Sequence, residues 1–199
     1  MPAPLVLASG SEIRASLLRN ANVPFTVARP RVDEDTVKQA LLAEAAPPRD
    51  IADTLAELKA RKISEKTPGA FVLGCDQVLE FEGELLSKPE SPEQALAQLK
   101  AMRGKRHKLL SAAVICKDGQ PEWRHIGQVR LVMRLPSDAY LADYVSRNWD
   151  SIRHAVGAYK LEEEGVRLFS LIDGDYFNVL GLPLLELLNF LMLREVIES

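Results

Sequence analysis

Cysteine is scarce in this sequence. Of 199 residues only Cys75 and Cys116 are cysteines; both sit in apolar runs, and neither belongs to a Cys-x-x-Cys pair or a Cys/His ligand spacing. That argues against a disulfide framework and a zinc site and leaves two reduced core thiols. Positive charge is not in excess either: 25 Lys and Arg stand against 28 Asp and Glu, a formal net charge of -3. No global field exists to hold a long nucleic-acid polymer, so any phosphate site must be local. No run of about 18 apolar residues occurs, which removes a membrane-spanning helix, and no Lys or Arg precedes Arg14, which argues against a secretory start. The expectation is a soluble, cytoplasmic protein. Aromatics make up 6% of the chain, and Trp123, Trp149 and Tyr159 read as packing groups rather than base-stacking platforms. Internal repeats and low-complexity tracts are also missing. What is present, 47% hydrophobic and 27% charged residues, is ordinary globular composition, enough for one sizeable core or two small lobes.

Leu5 to Ala8 is a short apolar run that stops at Ser9-Gly10-Ser11, and Ile13, Leu17, Leu18 and Ala21 follow at helical spacing. Strand, tight turn and helix are expected in that order. A second helix is expected over about 35 to 45. Pro47-Pro48 then opens a third, with Ile51, Leu55 and Leu58 on one stripe. Ala70 to Phe81 reads as a strand, turning at Glu82-Gly83 into a hairpin that ends near Leu86. Ser91-Pro92-Glu93-Gln94 has the form of a helix start with a capping box. Two β-rich segments, Leu109 to Cys116 and Trp123 to Arg134, flank Asp118-Gly119, and a helix over 137 to 149 follows. The tail suggests a strand over Val166 to Ile172, another short strand to Leu180, and a leucine-rich helix to about 197. Helices alternate with strands early and hairpins dominate later, so the fold class is α/β with a mixed sheet flanked by helices.

Few residues in this pattern need a chemical explanation. The Ser9-Gly10-Ser11 turn would aim N–H groups, hydroxyls and a helix N-terminus outward, with Arg14 one turn further on. Such an end suits an anion, although Ser11 could equally be a plain N-cap. Lys59 falls about 40° from Leu55 on a helical projection, at the edge of the apolar stripe, where an ammonium either snorkels or meets an anion. Asp76 and Gln77 interrupt an apolar strand. A carboxylate there is satisfied by neighbouring N–H groups or serves as metal ligand or general base. Val32-Asp33-Glu34-Asp35 either complements a helix dipole or supplies a second carboxylate for a divalent cation, and Lys88 lies in a turn that could return to the same edge. His107, His125 and His154 share no motif and, near Arg or Lys, read as surface residues.

Taken together, Leu7-Ala8-Ser9-Gly10-Ser11-x-x-Arg14-x-x-Leu17-Leu18, Val32-Asp33-Glu34, Lys59-Ala60, Gly74-x-Asp76-Gln77-Val78, Lys88-Pro89, Gly157-Ala158-Tyr159-Lys160 and Leu180-Gly181-Leu182-Pro183-Leu184 resemble, in order, the Maf family of nucleoside triphosphate pyrophosphatases. The resemblance implies a single domain over 1–199, similar in fold to the inosine-triphosphate pyrophosphatases, with an elongated mixed sheet and a cleft between two lobes. It implies cleavage of a nucleoside triphosphate to monophosphate and pyrophosphate with Mg²⁺ or Mn²⁺. Residue by residue, it makes Asp76 the proton acceptor and, with Glu34, a cation ligand. Ser9, Arg14, Lys59 and Lys88 match phosphate-contacting positions, and Ser11 belongs to the same turn. Family members are linked with clearing modified nucleotides and with septum formation, and a homodimer is expected by the same analogy.

Asp76-Gln77 and the Gly-Ala-Tyr-Lys-x-Glu segment at 157 to 162 look like the branch acting on 7-methyl-GTP; the other branch prefers dTTP and UTP. Ile13, Gln77 and Glu162 stand at the positions linked with that choice. A non-catalytic nucleotide-binding regulator of cell division is the rival from another class. The chain departs from the family pattern in having Glu12-Ile13-Arg14 where Pro-Arg-Arg or Pro-Trp-Arg is usual, in Ser87 before Lys88-Pro89, and in the extra glutamates Glu163 and Glu164.

Overall fold

The computed structural model describes residues 3–198. In chain order they form β1 (Leu5–Ala8), α1 (Glu12–Asn20), β2 (Thr26–Ala28), α2 (Glu34–Ala43), α3 (Pro48–Ser64), β3 (Phe71–Phe81) and β4 (Glu84–Leu86). These are followed by α4 (Pro92–Met102), β5 (Arg106–Lys117), β6 (Gln120–Met133), α5 (Asp138–Ile152), β7 (Phe169–Asp173), α6 (Tyr176–Val179) and α7 (Leu184–Leu193). The strands make one mixed seven-stranded sheet in the order β2-β1-β3-β5-β6-β7, with β4 paired to β3. β1 runs parallel to β2 and β3, whereas β3–β4 and β6–β7 are antiparallel. The α/β class and mixed sheet expected from the sequence are therefore present.

The chain divides into two compact units, and β3, β5 and β6 each contribute to both. The first comprises the chain up to Asp76, Ser111–Gly127 and the tail from Gly181. Its core is built on β1, whose four residues are all buried, with Leu17 and Leu18 of α1, Ile51 and Leu55 of α3, and Leu187 and Leu191 of α7. A fully buried strand reads as an unbroken apolar run, which is why Leu5 to Ala8 is legible. β5 and β6 are joined by Asp118 and Gly119 at φ 48° and 78°, the two positive values that a tight primed hairpin turn demands.

The second unit comprises Gln77–Leu110 and Gln128–Leu180. Leu79, Leu99, Met102, Leu131, Met133, Leu141 and Tyr144 fill its core. Ser91 caps α4 by accepting from the Gln94 N–H at 3.2 Å, but Gln94 Oε1 accepts from the N–H of Glu90 at 2.6 Å, one residue before the cap. The helix start is as expected, and the reciprocal half of the capping box is displaced by one position.

Several expectations need correction. The segment expected as a strand to Leu180 is the short helix α6, because Asp175 caps it by accepting from the Phe177 N–H at 3.0 Å. β7 begins at Phe169, and residues 164–168 form a 3₁₀ turn instead. α7 ends at Leu193, short of 197, where Glu195 turns to a φ of 56°. β2 has no sequence signal of its own: it spans three residues, two of them exposed.

His107 is not a surface residue. It is 2% exposed, and its Nε2 lies 2.8 Å from the Tyr159 hydroxyl. It shares the inward face of β5 with Leu109, since side chains alternate along a strand, while its charged neighbours Arg106 and Lys108 point the other way. Burial holds its imidazole down to about 4, well below the usual 6.5, and Nδ1 has no partner among the described residues. The fold thus binds neutral His107. That stabilisation is complete above pH 6.5 and is lost as pH falls through 4. Urea unfolding at pH 7 and pH 4.5 is expected to show His107→Gln losing about 2–3 kcal/mol less stability between the two values than the parent chain does; equal losses would mean that His107 does not titrate this way.

Candidate active site

Register sets the level of the site. Ala8 at the end of β1 pairs with Ala28 on one side and Gly74 on the other. Residues just beyond these three positions therefore emerge together at the carboxyl end of the parallel strands, where open α/β sheets bind ligands. On β3 those residues are Cys75 and Asp76, and on β1 they are Ser9 and the turn into α1.

Gly74 and Asp76, two apart, share one face of β3. α3 lies on that face, and it comes unusually close because Gly74 has no side chain. A Cβ there would sit 2.1 Å from the Ala56 carbonyl oxygen and 2.6 Å from the Ala60 nitrogen. Lys59, adjacent to Ala60 on the helix, is thereby delivered beside Asp76. Its ammonium donates to Asp76 Oδ1 at 2.8 Å and to the Cys75 carbonyl at 3.3 Å, and it pairs with Glu34 Oε2 at 2.9 Å. The side chains of Lys59 and Asp76 are only 8% and 10% exposed, so Lys59 does not snorkel to solvent; it joins two carboxylates.

Glu34 is the first residue of α2. Its neighbour Asp33 is the N-cap, accepting from the N–H and hydroxyl of Thr36 at 3.1 and 2.9 Å. The acidic cluster thus splits: Asp33 caps the helix, and Glu34 turns to Lys59. Burial pushes the Asp76 carboxyl above its usual value, against the pull of Lys59 and Arg14. Only Oδ1 is held by Lys59; Oδ2 makes no hydrogen bond to a described residue.

Arg14 completes the cluster. Its Nε donates to the Gly181 carbonyl at 2.8 Å, and its Nη1 to Ser9 Oγ and the Cys75 carbonyl, both at 3.4 Å. Ser9 Oγ also accepts from the Ser11 N–H at 3.1 Å, while Ser11 caps α1 with a long 3.5 Å bond from the Arg14 N–H. The Cys75 carbonyl is a shared acceptor for both cations. Six expected residues, Ser9, Ser11, Arg14, Glu34, Lys59 and Asp76, are accordingly gathered within the first unit.

The donor set suits a hard divalent cation. Asp76 and Glu34 are oxygen donors held within 2.9 Å of one nitrogen, and among the described residues no group of three His, Cys, Asp or Glu side chains forms a metal site. One or two carboxylates, completed by phosphate oxygens and water, is what Mg²⁺ takes.

The family described as Maf-like protein matches residues 4–194 of the sequence. This chain belongs to the Maf family. A Ruegeria pomeroyi protein named nucleoside triphosphate pyrophosphatase is 75% identical over 199 residues, covering all of both chains. A Caulobacter vibrioides protein of the same name is 50% identical over 191 residues, 96% of each chain. A Brucella abortus protein named 7-methyl-GTP pyrophosphatase is 43% identical over 199 residues, again covering all of both.

The departures from the Maf pattern resolve locally. Glu12 points along α1 to Arg19 at 2.7 Å and is largely exposed, so it brings no carboxylate into the Ser9 turn. Ile13, the next residue, is partly buried. Glu163 accepts from the Ser151 hydroxyl, and Glu164 from Tyr140, Arg147 and Asn148; both fasten the segment after Tyr159 to α5. In the second unit, Lys88 and Glu162 are exposed, and Gln77 Nε2 donates to the carbonyls of Asn178 and Val179, each at 3.0 Å. Two participants had no individual sequence signal: the Cys75 carbonyl, because backbone acceptors are silent in sequence, and Gly181, whose φ of 91° turns its carbonyl to Arg14.

Gly74→Ala is expected to cost about 3 kcal/mol or more, because the added methyl meets backbone rather than a movable side chain. Urea unfolding measures it; a loss below about 1 kcal/mol would show that α3 does not depend on this contact.

Proposed function

We propose that this chain hydrolyses a nucleoside triphosphate to the monophosphate and pyrophosphate, with Asp76 as the base. The observation that carries the reading is the buried Lys59 ammonium joining Asp76 to Glu34, beside an Arg14 that shares the Cys75 carbonyl. Burial raises the Asp76 carboxyl above its ordinary value, which makes the carboxylate a better proton acceptor, and its Oδ2 is unclaimed by the described residues. In the proposed step Asp76 takes the proton of a water whose oxygen attacks the α-phosphorus. The bond from that phosphorus to the oxygen bridging to the β-phosphate breaks, and pyrophosphate leaves. Lys59 holds Asp76 in place. Arg14 and the Ser9–Ser11 turn, with its helix N-terminus, bind the polyphosphate and offset the charge that develops on it.

Asp76 and Glu34 would hold Mg²⁺ or Mn²⁺. When bound, such an ion supplies neutralisation of phosphoryl oxygens. Lys88, carried over from the resemblance, is proposed as a further phosphate contact. The names of relatives support pyrophosphatase activity broadly, and those of the Brucella proteins support 7-methyl-GTP as the substrate. Glu162 favours the same base: a carboxylate accepts from the donor edge of guanine and attracts a methylated, cationic purine.

Screening 7-methyl-GTP, GTP, UTP and dTTP with Mg²⁺ while reading pyrophosphate directly is expected to show release, fastest from 7-methyl-GTP. Preference for UTP or dTTP would overturn the substrate, and absence of pyrophosphate from all four would overturn the activity. Asp76→Asn is expected to lower kcat by about 10²–10⁴-fold, the usual contribution of a general base, with nucleotide binding retained. Unchanged turnover in that variant would falsify its role.

A further inference from the structure

We infer that Arg29 is an additional polyphosphate-binding residue of this site, a role that rests on the pyrophosphatase reading above. The register brings it there. Ala28 pairs with Ala8, so Arg29 leaves β2 at the level where Ser9 leaves β1, on the flank opposite Cys75. Gly10 makes room for it: a Cβ at that position would lie 3.7 Å from Arg29 Nε, 3.8 Å from Cδ and 4.0 Å from Cγ. The arginine stem runs alongside the bare edge of the Ser9-Gly10-Ser11 turn.

Its guanidinium is uncommitted. Arg14 spends Nε and Nη1 on the Gly181 carbonyl, Ser9 Oγ and the Cys75 carbonyl, and Lys59 is bound to Glu34, Asp76 and the Cys75 carbonyl. Arg29 is exposed and makes no hydrogen bond or ion pair to a described residue. Lys59 is therefore fully engaged and Arg14 has only Nη2 left over for the polyphosphate, whereas Arg29 keeps its whole planar fork for a ligand. A guanidinium fits phosphate oxygens two at a time, and its ligand here is the anionic tail rather than the base.

The test compares Arg29→Gln, Arg29→Lys and, as a control for the loss of one positive charge, Lys66→Gln in the turn after α3. Pyrophosphate release and equilibrium binding of an α,β-methylene nucleoside triphosphate are measured on each. Arg29→Gln is expected to raise KM and weaken analogue binding about tenfold or more, with kcat within about twofold, the loss of a charge-assisted hydrogen bond. Arg29→Lys is expected to recover part of the loss, Lys66→Gln to behave like the parent, and all three to keep the parent's Tm, since Arg29 supports no other described residue. Parent-like KM and binding in Arg29→Gln, with the parent active, overturns the role of Arg29 alone, as does an equal loss in Lys66→Gln. A parent that binds the analogue but releases no pyrophosphate overturns the activity, and the binding comparison still decides Arg29. A parent that binds no triphosphate overturns both.

Discussion

The site depends on one buried ammonium that joins a buried carboxylate, Asp76, to a half-exposed one, Glu34. Taking Lys59 and Asp76 out of water is costly, and their attraction repays that cost only with close geometry and with the remaining donors satisfied. Here each donor of Lys59 has an acceptor: Asp76, Glu34 and the Cys75 carbonyl. The arrangement also requires that α3 lie against β3 at a distance no residue but glycine at position 74 permits. A backbone contact and a charge cluster are therefore two aspects of one constraint. Losing either partner would leave an uncompensated charge in the interior, so the cluster is a rigid device rather than an adaptable one.

Arg14 shows a similar economy. It reaches the turn after β1, β3 itself and the loop between α6 and α7 with one side chain, through Ser9, Cys75 and Gly181. Its rigid planar fork sets the angles at which these acceptors are held. The carbonyl of Cys75 gives the two cations a common reference point, so that a displacement of β3 would be felt by both. The thiol of the same residue is buried and pushed up by that burial, and it contributes packing, not chemistry.

Much of this was legible in the sequence, for identifiable reasons. Long periodic segments such as Pro48–Ser64 and the unbroken run Leu5–Ala8 announce themselves because burial imposes their pattern. Lys59 and Asp76 stand out because polar groups in apolar surroundings need partners. Those partners were not legible, since Glu34, Lys59 and Asp76 are joined only by tertiary packing. His107 was misread because flanking charges on a strand belong to the opposite face, and α6 because a four-residue helix has too little length for periodicity to register. The carbonyls of Cys75 and Gly181 leave no trace in a sequence at all.

The first unit is assembled from three separate stretches of chain, and the second from two, with β3, β5 and β6 feeding both. Neither can be excised as a contiguous gene fragment, and no single crossover within this coding region exchanges one unit whole. The two units are consequently inherited together, interleaved in one reading frame rather than laid out as interchangeable halves.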